Sequence, residues 1–208
     1  ISGGSKNSNF YLSASRYDQD GIIPETGYLK NTFRFNGEQK YGKLTASANV
    51  AYSVANADKS LTSGGLYGSG GTGAMVSVYR WPRSEDMSHW LNEDGSKYRM
   101  FEGQQQLADD IDNPYWIVNK NKVNDVTTRF TGTINLKLDV CDWFNIAYTA
   151  GTDHYTTNTR RLIEPGSGVE LLYQKGMLSE NDRTYEYLSS NLMMNFKKTF
   201  GDFDFNLL

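Results

Sequence analysis

The chain has 208 residues, of which 38% are hydrophobic, 22% charged and 13% aromatic, and its formal charge is −3 at pH 7. This composition excludes collagen, a coiled coil and a disordered tail, and the many tyrosines and phenylalanines favour β-strands. The balanced charge argues against a nucleic-acid partner, and a single cysteine excludes an internal disulfide framework.

Alternation of apolar and polar residues with period two predicts seven β-strands, because successive side chains of a strand point to opposite faces. In chain order these strands cover 10–17, 32–39, 44–54, 126–138, 143–158, 184–199 and 203–208. The alternation is clearest in 44–54 and 126–138, where one face is apolar and the other is rich in threonine, serine and asparagine. Val50, Ile134, Leu136 and Ile146 belong to the apolar face.

The predicted connections alternate between tight and long. Tight connections lie at 40–43, 139–142 and 201–202, whereas long ones lie at 18–31, 58–125 and 160–183. At least four predicted strands reach the roughly 9 to 11 residues that a tilted strand needs to cross a bilayer. Short turns on one side and long extracellular loops on the other are typical of outer-membrane barrels.

The sequence therefore predicts an all-β fold, an antiparallel up-and-down meander within a transmembrane β-barrel. No run of eighteen apolar residues is present, so we expect no transmembrane helix. A soluble antiparallel sandwich, whose half-buried strands also alternate, is the alternative. Aromatic residues near the strand ends suit interfacial girdles, with Trp143, Phe144, Phe196 and Phe200 on the tight-turn side and Tyr17, Tyr52, Tyr155 and Tyr185 on the other.

Seven strands are too few to enclose a ligand-sized lumen, and bacterial single-chain barrels use even numbers of strands. The alternation of Phe203, Phe205 and Leu207 continues to the end of the chain. We therefore expect the chain to be a contiguous piece of a larger barrel.

The long connection at 58–125 is rich in aromatic residues, which argues against disorder. One hypothesis is a binding wall in which flat rings stack on a sugar or peptide, and the alternative is a self-packed loop core. The candidate substrate contacts are Tyr79, Trp81, Trp90, Tyr98 and Trp116. For Trp116 the sequence favours the packed loop core, since this residue follows the turn-forming pair Asn113-Pro114.

No motif indicates an active site, so we expect no enzyme, no cofactor and no metal. The glycines of 68–73 satisfy G-x-G-x-x-G, but Pro82 follows too soon for the helix that a dinucleotide-binding fold requires. The cluster of Asp109, Asp110, Asp112 and Asn113 has oxygen ligands suited to calcium but lacks the glycine and distal glutamate of an EF-hand loop.

Two stretches resemble the SusC-like branch of the TonB-dependent outer-membrane transporters. The first is Asn-Phe-Tyr-Leu-Ser-Ala-Ser-Arg-Tyr-Asp-Gln-Asp-Gly-Ile-Ile at 9–23 with its return strand Thr-Phe-Arg-Phe-Asn at 32–36. The second is Asp-Asn-Pro-Tyr-Trp at 112–116, followed by Thr-Arg-Phe-Thr-Gly at 128–132. The resemblance extends over essentially the whole chain.

The resemblance implies a 22-stranded barrel in the bacterial outer membrane, of which residues 1–208 supply about seven strands and 58–125 a long extracellular loop. It also implies import of oligosaccharide or peptide nutrients, with a SusD-like surface lipoprotein, TonB and outer-membrane lipid as partners. The plug, the TonB box, a signal peptide and the C-terminal strands of the family are not recognisable in this sequence, so we do not expect transport by this piece alone.

In this interpretation the apolar face meets lipid and the polar face meets the lumen. The expected lumen-facing residues are Arg34, Asn36, Glu38, Asn49, Arg129, Thr131, Asn135, Lys137 and Asn145. The alternative from another functional class is a soluble or surface-anchored carbohydrate-binding β domain that uses the aromatic loop for adhesion.

Overall fold

A computed structural model describes residues 1–61, 73–99, 112–167 and 175–208. Within these ranges, eight strands form one antiparallel sheet in chain order. They are β1 Ser2–Ser5, β2 Ser8–Asp20, β3 Gly27–Tyr41, β4 Leu44–Ser60, β5 Lys122–Cys141, β6 Phe144–Ile163, β7 Met177–Phe200 and β8 Phe203–Leu207. Each strand is hydrogen-bonded to the next one along the chain, which confirms the predicted all-β antiparallel meander.

Tight and long connections alternate at the two ends of the sheet. Two-residue turns at 6–7, 42–43, 142–143 and 201–202 join the strands at one end, which we call the turn end. The connections 21–26, 61–121 and 164–176 lie at the opposite end, which we call the loop end. Gly42 and Gly201 have φ of 59° and 60°, a backbone conformation that glycine adopts without the steric cost of a Cβ.

The strands are more numerous and longer than the alternation predicts. The short strand β1 was missed, since its sequence Ser-Gly-Gly-Ser carries no apolar side chain to mark a face. At the loop end, β6 continues to Ile163 and β7 begins at Met177, although the predicted connection covers 160–183. Backbone pairing continues there through segments in which polar residues occupy both faces, so period two is lost while the strand persists.

The register fixes which side chains share a face, because directly paired residues in an antiparallel sheet project to the same side. Phe35, Val50, Gly132, Ala150 and their neighbours at every second position form the apolar face. The intervening residues form the polar face. Both faces are open, since the described strands make a single layer.

Two short helices lie in the connection between β4 and β5, α1 at Ala74–Arg80 and α2 at Pro114–Lys120. They supply three members of the main cluster of buried apolar residues, which sits at the loop end and comprises Leu61, Ala74, Ile117, Val118 and Ile163. Among the described residues, no helix is both long and apolar enough to cross a bilayer.

Candidate functional site

All nine residues expected to face the lumen share the polar face. Arg34 pairs with Ala51 across β3 and β4, and Ala51 pairs in turn with Thr131 on β5. The same ladder connects the other members of the set, ending with Asn145 on β6, which pairs with Asp139. Val50, Ile134, Leu136 and Ile146 share the opposite, apolar face.

Short polar side chains on the polar face hydrogen-bond across strands. Thr149 donates its hydroxyl to Asn135 Oδ1 at 2.9 Å, and Asn135 Nδ2 donates to Ser47 Oγ at 3.4 Å. The hydroxyls of Thr127 and Thr157 lie 3.0 Å apart. These bonds link β4, β5 and β6 through their side chains and give this face the hydrogen-bonding character of a wetted surface.

One cluster of charged and aromatic side chains stands out on the polar face toward the loop end. Arg129 donates from Nε to Asp153 Oδ1 at 2.9 Å and from Nη2 to Oδ2 at 2.6 Å, a bidentate pair. Its guanidinium carbon lies 5.8 Å from the ring centroid of Tyr155, within cation–π range. Tyr155 stacks on Tyr185 of β7, with ring centroids 5.0 Å apart. We call Arg129, Asp153, Tyr155 and Tyr185 the Arg–Tyr row.

This arrangement corrects the predicted girdle at the loop end. Tyr17 pairs with Lys30, and Tyr155 pairs with Arg129 and with Tyr185, so these three tyrosines lie on the polar face. Of that set, only Tyr52 lies on the apolar face. At the turn end, Phe144, Phe196 and Phe200 are on the apolar face, as a girdle requires. Aromatic content at strand ends could not distinguish the two faces, since both alternate with the same period.

The described parts of the connection between β4 and β5 pack with the start of the β6–β7 connection at the loop end, and we call this unit the loop assembly (73–99, 112–121 and 164–167). Its centre is α2. Asn113 caps this helix by accepting from the Tyr115 backbone N–H at 2.8 Å, and Pro114 occupies the first turn, where its missing N–H costs nothing. Asn113 Nδ2 also donates to the carbonyl of Met87 at 2.9 Å.

Hydrogen bonds of buried side chains connect α2 to the β6–β7 connection. The indole Nε1 of Trp116 donates to Ser167 Oγ at 2.9 Å, and Ser167 in turn donates to Asn121 Oδ1 at 3.0 Å. The same Asn121 oxygen accepts from the backbone N–H of Glu164 at 3.0 Å. Segments far apart in sequence are thereby held in one arrangement.

A buried ion pair adds a further link. The ammonium of Lys97 donates to Asp112 and, at 3.0 Å, to the carbonyl of Gly166. Both side chains are nearly inaccessible, at 8% and 2% exposure. Asp112 thus has a structural partner, whereas Asp109 and Asp110 of the same acidic group lie outside the described residues. Among the residues that the structure describes, no group of three or more potential ligands could hold a metal ion.

The loop assembly divides the five aromatic candidates. Trp81 and Trp116 are buried, at 7% and 5% exposure, and Trp81 donates its indole N–H to the carbonyl of Glu85. Trp90 packs edge to face on Trp116, and Tyr98 stacks on His89. Tyr79 is 82% exposed. The geometry favours the packing role for Trp81 and Trp116 and leaves Tyr79 as the candidate most open to a ligand.

Two turns in 81–99 are fixed by carboxylates. The hydroxyl and the backbone N–H of Ser96 donate to Asp94, at 2.5 and 2.9 Å, and hold the pKa of that carboxyl below its usual value. The N–H of Ser88 donates to Asp86 at 2.8 Å and lowers its pKa in the same way. Both groups act as turn-forming acceptors.

An apolar cavity of about 520 Å³ opens beside the loop assembly. Its walls come from the β2–β3 connection through Ile22 and Pro24, from α1 through Met75 and Val78, and from Tyr115 of α2. Pairing of distant segments creates this cavity, which sequence reasoning did not anticipate.

These features define the class of the fold: a two-faced antiparallel meander with tight turns at one end and a folded loop assembly at the other. No family model matches the chain. A curated relative, the TonB-dependent receptor P3 of Formosa agariphila, is 26% identical over 219 aligned residues, which include 100% of this chain and 20% of the relative. The chain therefore spans about a fifth of the length of that relative.

Two solved structures share the fold. The RagAB peptide transporter superposes with a TM-score of 0.70 at 18% identity, over 97% of this chain and 22% of that one. The RagAB peptide importer in its closed-closed state gives 0.67 at 19% identity, over 99% and 22%. The receptor relative supports the predicted resemblance to TonB-dependent transporters, and the two solved structures confirm the antiparallel meander fold.

Sequence reasoning missed Asp153, Tyr155 and Tyr185 as candidate functional residues. They are 24 to 56 residues from Arg129 in the chain and meet it only through the β5–β6 and β6–β7 registers. A signal for them is present in the sequence, since alternate residues of a strand share a face. The odd-numbered residues of 126–138 form the polar face, and pairing the strands across each tight turn places positions 153, 155 and 185 on the same face.

Proposed function

We propose that the chain is part of the barrel wall of a TonB-dependent nutrient importer in the bacterial outer membrane. The observation that carries the proposal is the chemical contrast between the two faces. Ile134 and Leu188 project from the apolar face with 52% and 72% of their surface exposed, and the next residues along their strands, Asn135 and Ser189, are polar. Leu192, also on the apolar face, is 58% exposed and follows the polar Asn191. Such a continuous apolar band needs a hydrocarbon environment or a protein partner.

In this proposal the polar face lines the lumen, with Arg34, Asn36, Glu38, Asn49, Arg129, Thr131, Asn135, Lys137 and Asn145 along it. The turn end faces the periplasm and the loop assembly faces the outside, as in other outer-membrane barrels. The natural polypeptide imports oligosaccharide or peptide nutrients with a SusD-like surface lipoprotein, is driven by TonB, and carries out no catalysis. The similarity in fold to the RagAB peptide importer and peptide transporter supports peptides as one of the two substrate classes.

Fractionation of the source cells tests this proposal. We expect the natural polypeptide in the detergent-extracted outer membrane, at an intact mass several times the 23.5 kDa of this chain. A 23.5 kDa species in the soluble fraction would contradict the importer and favour the carbohydrate-binding domain. Uptake of labelled oligosaccharides or peptides should then fall to background when the gene or TonB is deleted, and uptake unaffected by loss of TonB would refute the energy coupling.

A further inference from the structure

The Arg–Tyr row forms a depression on the polar face with its own set of polar groups. The depression has a volume of about 440 Å³ and is lined by Thr127 together with the four residues of the row. Arg129 keeps 51% and Asp153 26% of its side-chain surface exposed, and Tyr185 is 41% exposed. These groups are therefore paired with one another and still accessible.

The charges of the row cancel, which limits the ligands that it suits. Arg129 uses its bidentate fork on Asp153, so it is not available as an anchor for a free carboxylate such as a peptide C-terminus. The guanidinium has five N–H donors, of which two are used here, and the carboxylate oxygens and the two phenols add further acceptors and donors. The group offers many hydrogen bonds but no net charge.

Exposed aromatic surface accompanies these hydrogen-bonding groups. Tyr185 stacks on Tyr155, and Tyr187 follows two residues later on the same face, paired with Asp153 and 53% exposed. Aromatic rings bind flat apolar surfaces, while planar polar groups beside them orient hydroxyls. A pyranose has both features, with apolar C–H faces and a rim of hydroxyls.

We propose that the Arg–Tyr row is a binding site for a neutral saccharide on the lumen wall. This inference rests on the proposed importer function and chooses between the two substrate classes left open there. Arg129 and Asp153 would hydrogen-bond to neighbouring hydroxyls, and Tyr155 and Tyr185 would pack on the sugar ring.

Calorimetric titration of the purified natural polypeptide in detergent tests the site. The probes are neutral hexasaccharides of glucose, mannose, galactose and xylose, with hexa-alanine as the peptide. We expect at least one saccharide to bind and Tyr185→Ala to weaken it about tenfold, since both ring contact and a phenol hydroxyl are lost. Tyr185→Phe, which keeps the ring, should retain part of the affinity.

Tyr17→Ala is the matched control. Tyr17 is also on the polar face, is 53% exposed and packs against Tyr28, but it does not belong to the Arg–Tyr row. Its replacement should leave the saccharide affinity unchanged. The proposal is overturned if none of the saccharides binds, if hexa-alanine binds in a Tyr185-dependent way instead, or if Tyr17→Ala weakens binding as much as Tyr185→Ala.

Asp153→Asn tests the charge argument independently. The substitution keeps the shape of the side chain but leaves the charge of Arg129 unbalanced. Hexagalacturonate, an acidic saccharide, should therefore bind to the Asp153→Asn variant about tenfold more tightly than to the unmodified protein. An unchanged affinity would overturn the argument from cancelled charges. These titrations are independent of cell location and uptake, so failure of the importer proposal and failure of the saccharide site are distinguishable.

Discussion

At the residue scale, the two faces differ most sharply at neighbouring positions of β5. Ile134 projects from the apolar face and is 52% exposed, while Thr133, one residue earlier, projects from the polar face. Each pairs with a small residue, Ala48 or Asn49 on β4, so a long side chain fits sterically at either position. The environment that each face meets therefore decides the outcome of a charge substitution.

In the proposed barrel, we expect Ile134→Arg to lower the free energy of unfolding by about 2 to 4 kcal/mol and Thr133→Arg to lower it much less, because only position 134 would face hydrocarbon. Urea titration in lipid vesicles measures the difference. Equal tolerance of the two substitutions would mean that the faces are assigned wrongly.

Trp116 separates a packing role from a ligand role. Its ring is buried and its indole N–H is bonded to Ser167, so Trp116→Ala should destabilise the loop assembly by about 3 to 5 kcal/mol. Limited proteolysis of the assembly should become much faster. Tyr79→Ala, at an exposed position of α1, should change the cleavage rate little, and similar rates for both variants would contradict the packing role.

At the scale of elements, α2 is only seven residues long and depends on its cap and its contacts for stability. Asn113 caps the helix, and its amide also donates to Met87 within the loop assembly. Three of the four positions of the Asn-Pro-Tyr-Trp motif thus have a physical reason: Asn113 is the cap, Pro114 is the first-turn proline, and Trp116 reaches the β6–β7 connection.

Asn113→Ala should therefore lower the protection of α2 amides from hydrogen exchange by about 1 to 2 kcal/mol. Asn119→Ala is the control, because the Asn119 amide bonds only to the carbonyl of Tyr115 among the contacts described for it. Hydrogen exchange followed by mass spectrometry of the 112–121 peptide gives the comparison. Equal losses of protection would indicate that the cap contributes nothing specific.

At the scale of the whole molecule, the residues that the structure describes form a single sheet whose apolar face is covered by no second layer of strands. We expect the chain to be monodisperse in detergent micelles and to aggregate once the detergent is removed. Analytical ultracentrifugation with and without detergent checks this. A monodisperse species in plain buffer would favour the soluble binding domain.

Of the eight described strands, alternation located seven, and it separated the polar set from the apolar set correctly, because the face of a residue depends only on counting from the tight turns. The three loop-end tyrosines were expected on the wrong face because they were assigned by their aromatic character and not by counting. Alternation failed where apolar residues no longer mark a face, as in β1 and at the loop ends of β6 and β7. Alternation could not predict the loop assembly, for another reason. The bond of Trp116 to Ser167 and that of Lys97 to Gly166 join residues 51 and 69 positions apart, and no local pattern records them.

The unequal ends of the sheet also bear on how such a protein can evolve. Inserting one residue within a strand beyond a two-residue turn such as 42–43 would exchange the faces of the side chains that follow it in that strand. The connections 61–121 and 164–176 can gain or lose residues without this consequence, since they do not set the pairing. Sequence divergence among relatives should therefore concentrate at the loop end, where new ligand preferences can arise while the wall stays unchanged.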